Sequence, residues 1–287
     1  MTPTQYTRRE LARMLVTVPA LRVVSTQVHA RQIGYCTSLK NVPAARASGF
    51  DYAELSTTEV AGLSDADFVA AEKMLGTVGL PTPVSNLFLP AALKVTGPQI
   101  DRDAQSAYVR KAFERVARLG VRIVVFGSGG ARRVPEGVAR EDAFGQLVDF
   151  GRRIGQLART RDITVAIEPL RSEESNIINS AAEGLRLVEA IGDPSFQLMV
   201  DFFHLSSERE NPEIILGARG HLRHVHMANP KGRVFPLAWD EFDYQAFFAN
   251  LGRIGYDGRI SIEASTQNLS ADAPRAIALL RQHASGN

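Results

Sequence analysis

Short apolar segments alternate with longer helical patterns along most of this 287-residue chain. From residue 32 onward we predict eight strands, each followed by a helix-forming stretch. Repeated strand–helix units favour a parallel sheet, because each helix returns the chain to the end of the sheet where it started. Eight units in about 255 residues match a (β/α)8 TIM barrel, an α/β fold that commonly uses this length as a single domain. We therefore predict such a barrel over residues 32–287.

An open, doubly wound parallel sheet is the structural alternative. That fold usually binds a dinucleotide through a G-x-G-x-x-G turn followed by an acidic residue. The glycine-rich turn Gly127–Gly130 has neither the spacing nor the acidic partner. No repeat, low-complexity tract or linker divides the region after residue 32, and we expect no organic cofactor.

Residues 1–31 form a separate N-terminal extension. Arg8 and Arg9 precede the apolar run Met14–Leu21, a pattern that resembles a degenerate twin-arginine export signal. The apolar run is short and Arg22 interrupts it, so an amphipathic helix packed on the domain is the alternative. The sequence leaves a periplasmic and a cytoplasmic location equally open.

The composition restricts the kinds of partner that this chain is expected to bind. The formal net charge of +2 is too small to indicate nucleic acid or an anionic membrane surface. No apolar run reaches the roughly 18 residues of a membrane span. The single cysteine, Cys36, can form neither an internal disulfide nor a thiolate metal cluster. We expect a small-molecule ligand, with a homo-oligomer as an open option.

Ionisable residues recur at the ends of predicted strands five to eight. Alternation places Glu168, Asp201, His226 and Glu263 on the face opposite most of the branched apolar residues. In a barrel, that face points inward. Charged residues at the C-terminal ends of barrel strands are typical of catalytic sites.

Three carboxylates close together would repel one another unless a cation joined them. Each residue alone could belong to a structural salt bridge, but four on successive strands favour a metal site. Carboxylate oxygens with one imidazole suit Mn²⁺, with Co²⁺, Mg²⁺ or Zn²⁺ as alternatives. The residues thus predict one divalent ion held by Glu168, Asp201, His226 and Glu263.

Other polar residues lie close to this quartet in the sequence. His204 follows Asp201 by three positions and is expected near the metal but outside its ligand set. His224 lies two residues before His226, one layer deeper in the barrel. The loop Met227–Arg233 is basic and could hold an oxyanion, a hydroxyl or a carboxylate of a substrate.

With these motifs, residues 32–287 resemble the xylose-isomerase-like TIM barrels, the sugar phosphate isomerase/epimerase superfamily that includes ketose 3-epimerases. The segments that carry the resemblance are Ile167-Glu168-Pro169-Leu170, Val200-Asp201-Phe202-Phe203-His204, His224-Val225-His226 and Ile262-Glu263. The resemblance implies that the quartet holds one metal and that Glu168 and Glu263 act as acid and base. It also implies substrate contacts from Glu174, His204 and Arg233.

Strand ends two to four add expected pocket residues. Glu54, Asn86 and the Phe126–Gly130 turn fall at those ends and are expected to line the pocket, with Glu54 and Asn86 as substrate contacts. The chain departs from many epimerases in one place. It has Asn229-Pro230 where they carry an acidic residue shortly after the metal histidine, and this leaves the identity of the substrate open.

The expected reaction is proton abstraction next to a carbonyl, through a metal-bound enediolate, in a sugar isomerase or epimerase. Epimerisation, aldose–ketose isomerisation and dehydration all share the proton-abstraction step. The alternative is therefore a lyase, dehydratase or hydratase acting on oxidised sugars, inososes or 3-oxo-glycosides. An endonuclease of the same superfamily would need further histidines, and none occurs between His29 and His204. A sugar-binding barrel without activity would not need two metal-bound glutamates.

Overall fold

A computed structural model describes residues 31–284. Within that range, eight parallel strands close into a barrel in chain order, and the last strand is hydrogen-bonded to the first. The strands are β1 Ile33–Thr37, β2 Tyr52–Ser56, β3 Val84–Asn86, β4 Ile123–Phe126, β5 Thr164–Ile167, β6 Phe196–Asp201, β7 Leu222–Met227 and β8 Ile260–Ile262. The predicted (β/α)8 barrel is confirmed. The export prediction falls on residues 1–31, of which 1–30 lie outside the described part of the chain.

Helices surround the barrel and cover its outer face. They are α1 Val42–Ala47, α2 Thr57–Gly62, α3 Asp65–Val78, α4 Arg102–Arg118, α5 Gly129–Arg132, α6 Arg140–Arg159, α7 Ala181–Ile191, α8 Phe202–Ser207, α9 Ile214–Gly217, α10 Gln245–Arg253 and α11 Leu269–Ala284. Helix α7 has both ends specified by sequence: the Ser180 side chain accepts from Glu183 N, and Gly192 ends it in the left-handed conformation. Among the described helices, none combines the length and apolarity needed to cross a membrane.

Three short helices, α2, α5 and α8, follow β2, β4 and β6, and the sequence did not predict them; α2 and α8 begin at the next residue, and two residues separate β4 from α5. Each has six residues or fewer, which is too short for helical periodicity to be visible. Helix α8 begins where the sixth strand ends, because Asp201 is the last residue of the strand and caps the helix by accepting from Phe203 N. These turns place strand-end side chains close to backbone at the barrel mouth.

Apolar side chains fill the barrel below that mouth. The buried interior cluster contains Tyr52, Val84, Val125, Ala166 and Met199. A larger apolar core lies between the strands and the helices. The barrel is therefore a packed support, and the polar residues sit in the layers above it.

The pairing of β6 with β7 contains a register shift between Leu198 and Met199. Beyond the shift, Asp201 lies opposite His226. Because paired residues of neighbouring strands share a face, both side chains point into the barrel. The shift thus brings two of the predicted ligands side by side.

Candidate metal centre

The four predicted ligands meet at the C-terminal mouth of the barrel. Glu168 follows β5, Asp201 ends β6, His226 lies in β7 and Glu263 follows β8. One potential ligand atom from each lies within 4.8 Å of those of the others. The structure therefore brings together the residues that alternation placed on one face.

His226 contacts both glutamates through the same nitrogen. Its Nδ1 lies 3.1 Å from Glu263 Oε2 and 3.5 Å from Glu168 Oε1. Glu168 Oε1 is buried and has no hydrogen-bond partner. Burial raises the pKa of Asp201 to about 7, with repulsion from Glu263 adding to the effect. Such a shortage of positive charge among oxygen ligands fits a divalent cation.

A glycine makes room for one of the glutamates. A Cβ at Gly127, just after β4, would overlap the Glu168 carboxylate through Oε2. Any side chain at Gly127 would therefore displace the Glu168 carboxylate from the other three ligands. The Phe126–Gly130 turn contributes to the site in this way, by accommodating a ligand.

Arg233 supplies the cation nearest to the quartet. Its Nη2 lies 2.6 Å from Glu263 Oε2 and 3.2 Å from Asp201 Oδ2. The guanidinium stacks on the Phe203 ring at 4.6 Å. Burial alone would lower its pKa, but the surrounding carboxylates, Glu263 first, raise it above the usual range. Arg233 is thus charged and aimed into the site.

Glu174 lies on the far side of Arg233. Its Oε1 accepts from Arg171 Nε at 2.8 Å and lies 3.6 Å from Arg233 Nη1. Arg171 also stacks on Phe203, at 4.8 Å. Two arginines on one aromatic ring, tied to one carboxylate, form a polar wall beside the quartet.

His204 is buried next to the ligands. Its Nδ1 accepts from Arg171 N at 3.3 Å, which leaves the ring proton on Nε2. Nε2 has no hydrogen-bond partner and lies 3.7 Å from Asp201 Oδ2 and 3.9 Å from Glu168 Oε1. Burial lowers the pKa of His204 to about 3, so the ring is neutral. It can donate one hydrogen bond to a molecule over the quartet.

A cavity of about 530 Å³ opens beside Glu263. Arg233, Asn86 and Leu87 also line it, together with Cys36 and Glu59 of the first two strand–helix units. Asn86 ends β3, as predicted for a pocket residue, and its Nδ2 donates to Glu263 Oε1 at 3.3 Å. The cavity gives a small polar molecule access to Glu263.

Glu54 differs from its predicted position. It is 0% exposed and lies one layer below the mouth, because Ser56 rather than Glu54 ends β2. Its carboxylate contacts His226 and His224 and does not line the cavity. The expectation of a substrate contact at Glu54 is therefore corrected. Alternation gives the face of a residue but not its depth in the barrel.

Other residues of that lower layer were not predicted from the sequence. Ser261 and Tyr52 are hydrogen-bonded to each other, and Cys36 Sγ lies 3.9 Å from His226 Nε2. The available signal was alternation on β1, β2 and β8, which places these small or aromatic residues on the inner face. His224 lies one layer deeper than His226, as predicted.

Comparison with known proteins finds carbohydrate epimerases. The probable ketose 3-epimerase of Synechocystis sp. is 28% identical over 186 residues, which span 61% of this chain and 62% of that protein. The L-ribulose 3-epimerase of Mesorhizobium japonicum is 26% identical over 235 residues, spanning 78% and 74%. The chain thus aligns with a little under two thirds of the length of the first relative and three quarters of the second.

The fold comparison agrees. The crystal structure of a D-allulose 3-epimerase from Methylomonas sp. has a TM-score of 0.77 at 23% identity, covering 88% of this chain and 98% of that one. At the family level, residues 42–283 match the xylose isomerase-like TIM barrel description, a range that contains the whole quartet. The chain belongs to the xylose isomerase-like TIM barrel family.

Proposed function

We propose that this protein is a divalent-metal-dependent sugar isomerase or epimerase. The observation that carries the proposal is geometric: Glu168 and Glu263 lie on either side of His226 Nδ1, at 3.5 and 3.1 Å, in a quartet whose ligand atoms lie within 4.8 Å of one another. Burial raises the pKa of Glu168. Burial opposes ionisation of Glu263 as well, but His226 and Arg233 outweigh it and lower its pKa to about 2. Two neighbouring carboxyl groups with opposite shifts are typical of an acid–base pair.

The proposed ligands are Glu168, Asp201, His226 and Glu263. Three carboxylates and one imidazole favour Mn²⁺, with Co²⁺, Mg²⁺ and Zn²⁺ as alternatives. When bound, the metal would polarise a substrate carbonyl and so acidify the neighbouring C–H bond. The residues themselves would then move the proton.

Glu263 is the proposed base. It is ionised, it borders the cavity, and Asn86 and Arg233 each hold one of its oxygens. A substrate in the cavity would present its α-proton to this carboxylate. Glu168, on the other side of His226 Nδ1, would return a proton to the opposite face, which inverts the centre.

The polar wall would hold the sugar. Arg233 and His204 each present donors toward the space above the quartet, and Glu174 can accept from a hydroxyl group. These groups bind oxygen atoms and carry no information about which sugar is held. The proposed substrate class is therefore a hydroxy-carbonyl sugar. Experiment has to distinguish epimerisation from isomerisation.

The test is solvent-deuterium exchange with a panel of ketoses, keto-acids, inososes and 3-oxo-glycosides in D₂O. The Mn²⁺-loaded wild type should exchange the α-proton of at least one class. Glu263→Gln should lower that exchange by about 10²–10⁴-fold, the usual effect of losing a general base. Because this substitution also changes a proposed ligand, exchange is measured at a Mn²⁺ concentration at which elemental analysis finds the variant loaded with metal. Glu208→Gln, a loss of the same charge outside the quartet and the cavity, is the matched control and should exchange normally.

Unchanged exchange in Glu263→Gln would reject the two-base mechanism. A wild type that takes up no metal on reconstitution with Mn²⁺ would reject the metal centre. Product mass separates the alternative lyase reading, because dehydration loses water while epimerisation and isomerisation conserve mass.

A further inference from the structure

A second polar cluster lies directly under the quartet, and we call it the Glu54 layer: Glu54, His224, Ser261 and Tyr52. Glu54 Oε1 lies 2.9 Å from His226 Nε2, within hydrogen-bond distance. Glu54 Oε2 accepts from His224 Nε2 at 2.9 Å and from Ser261 Oγ at 2.5 Å. Tyr52 OH donates to Ser261 Oγ at 2.8 Å. All of these residues are buried, at 0 or 1% exposure.

The hydrogen bonds of this layer can run in one direction only. Ser261 donates to Glu54 Oε2 at 2.5 Å, and an imidazole Nε2 faces each carboxylate oxygen at 2.9 Å, which is the arrangement of an ionised carboxylate among three donors. An ionised carboxylate has no proton to donate. Both imidazoles must therefore carry a proton on Nε2.

That assignment determines what His226 offers on its other side. With a proton held on Nε2, Nδ1 is the nitrogen that can release its proton and offer a lone pair to a metal. Nδ1 is the atom that faces Glu263 and Glu168, at 3.1 and 3.5 Å. The opposite tautomer would aim an N–H at the site and leave a lone pair against the Glu54 carboxylate.

No neighbouring group can replace Glu54 in this role. Cys36 Sγ lies 3.9 Å from His226 Nε2, a long and weak contact. The Nε2 of His224 contacts the same carboxylate as His226. His224 therefore cannot accept a hydrogen bond from His226 in place of Glu54. Glu54 itself is fully buried and lies outside the cavity lining, so it can act on a bound molecule only through His226.

We propose that Glu54 is the positioning residue that fixes the Nε2–H tautomer of His226 and so directs the Nδ1 lone pair to the metal. This inference rests on the proposed metal centre. It gives a role to a carboxylate that touches neither substrate nor metal. In metal sites generally, removal of the hydrogen-bond acceptor behind a histidine ligand lowers metal affinity by about 10–100-fold.

The test measures metal binding and the tautomer in the full chain. Mn²⁺ is titrated into metal-free wild type and Glu54→Gln by calorimetry, and the variant should bind about 10–100-fold more weakly. ¹⁵N spectra of the metal-free proteins, recorded at alkaline pH where the ring is neutral, identify the protonated nitrogen of His226. The wild type should carry the proton on Nε2, and Glu54→Gln should show a mixture of tautomers.

Tyr52→Phe is the matched control. It removes one hydrogen bond from the same buried layer and leaves the donors of Glu54 in place. Its Mn²⁺ affinity should stay within about threefold of the wild type, because the deleted hydroxyl has no contact with His226. A general loosening of the layer would weaken both variants alike, which a role confined to Glu54 would not.

Equal Mn²⁺ affinity and an unchanged tautomer in Glu54→Gln would overturn this inference alone. A wild type that binds no Mn²⁺ would instead overturn the proposed function. If Glu54→Gln does not fold, the wild-type spectrum still decides, since a proton on Nδ1 of His226 contradicts the proposal.

Discussion

Two layers of carboxylates lie one above the other in this barrel, and Glu54 of the lower layer and Asp201 of the upper layer respond to burial with opposite outcomes. In the lower layer, one carboxylate, Glu54, receives hydrogen bonds from His224, His226 and Ser261. In the upper layer, Glu168, Asp201 and Glu263 share one imidazole nitrogen and one guanidinium. The pKa of Glu54 falls and that of Asp201 rises to about 7.

The difference shows that burial does not decide the charge of a carboxyl group by itself. The number of donors around it does. Both oxygens of Glu54 have hydrogen-bond partners without any ligand, so the lower layer resembles a structural support. The upper layer lacks positive charge, and this deficit marks where a cation from solution belongs.

Neutralising one carboxylate in each layer tests this difference most directly. Asp201→Asn should weaken Mn²⁺ binding by more than about 100-fold, since loss of a ligand exceeds loss of an outer partner. It should also stabilise the metal-free protein at pH 8 by about 1–3 kcal/mol, because it removes a charge whose burial costs more than its contacts with Arg233 and Phe203 N return. Calorimetry and urea unfolding measure the two effects.

Glu54→Gln is the counterpart in the lower layer. It should destabilise the metal-free protein by about 3–5 kcal/mol, since it breaks a buried, well-paired charge. Opposite signs for the two substitutions support the comparison. Destabilisation by both would mean that the two layers are equally complete.

The pH dependence of metal binding sharpens the same contrast. Below pH 7 Asp201 binds a proton in the metal-free protein, and burial raises the pKa of Glu168 in the same direction. A metal must displace those protons, so affinity should fall as pH falls. We expect Mn²⁺ to bind roughly 10–100-fold more weakly at pH 6 than at pH 8.

Calorimetry in two buffers of different ionisation enthalpy checks the reason, because it counts the protons released on binding. Equal affinity at both pH values with no proton release would show that the upper carboxylates are already ionised at pH 6.

The smallest effect concerns the space around Glu168. Gly127→Ala should displace the carboxylate and weaken Mn²⁺ binding about tenfold, an effect of the size seen when a ligand loses its support. Gly145→Ala, on the exposed face of α6 with no atom near its added methyl, is the control. It should leave metal binding unchanged and stabilise the helix by about 0.5–1 kcal/mol. Equal metal affinity of Gly127→Ala and the wild type would mean that the Gly127 backbone does not determine the position of Glu168.

The sequence predicted the barrel and the quartet for the same reason. Both depend on local alternation: eight apolar segments gave the strands, and the face of each strand gave Glu168, Asp201, His226 and Glu263. The structure confirms the barrel and brings the quartet together, while the role of these residues as ligands stays a prediction.

What the sequence could not give depends on how strands are offset from one another. The register shift in β6–β7 that sets Asp201 opposite His226 leaves no local pattern. The depth of Glu54 follows from where β2 ends and α2 begins. A helix of six residues is too short for this boundary to be predicted from the sequence. The fit of Glu168 against Gly127 joins two loops that alternation does not describe.

The Glu54 layer also sets a condition on how this chain is made. Glu54 lies on β2, and its donor Ser261 follows 207 positions later. At a synthesis rate of about 5–20 residues per second, roughly 10–40 s separate the two on the ribosome. Until His224 and His226 have been made, the carboxylate lacks all three of its partners. Burial before that point would leave an unpaired carboxylate, so we expect the barrel to close around Glu54 only after β7 and β8 have been translated.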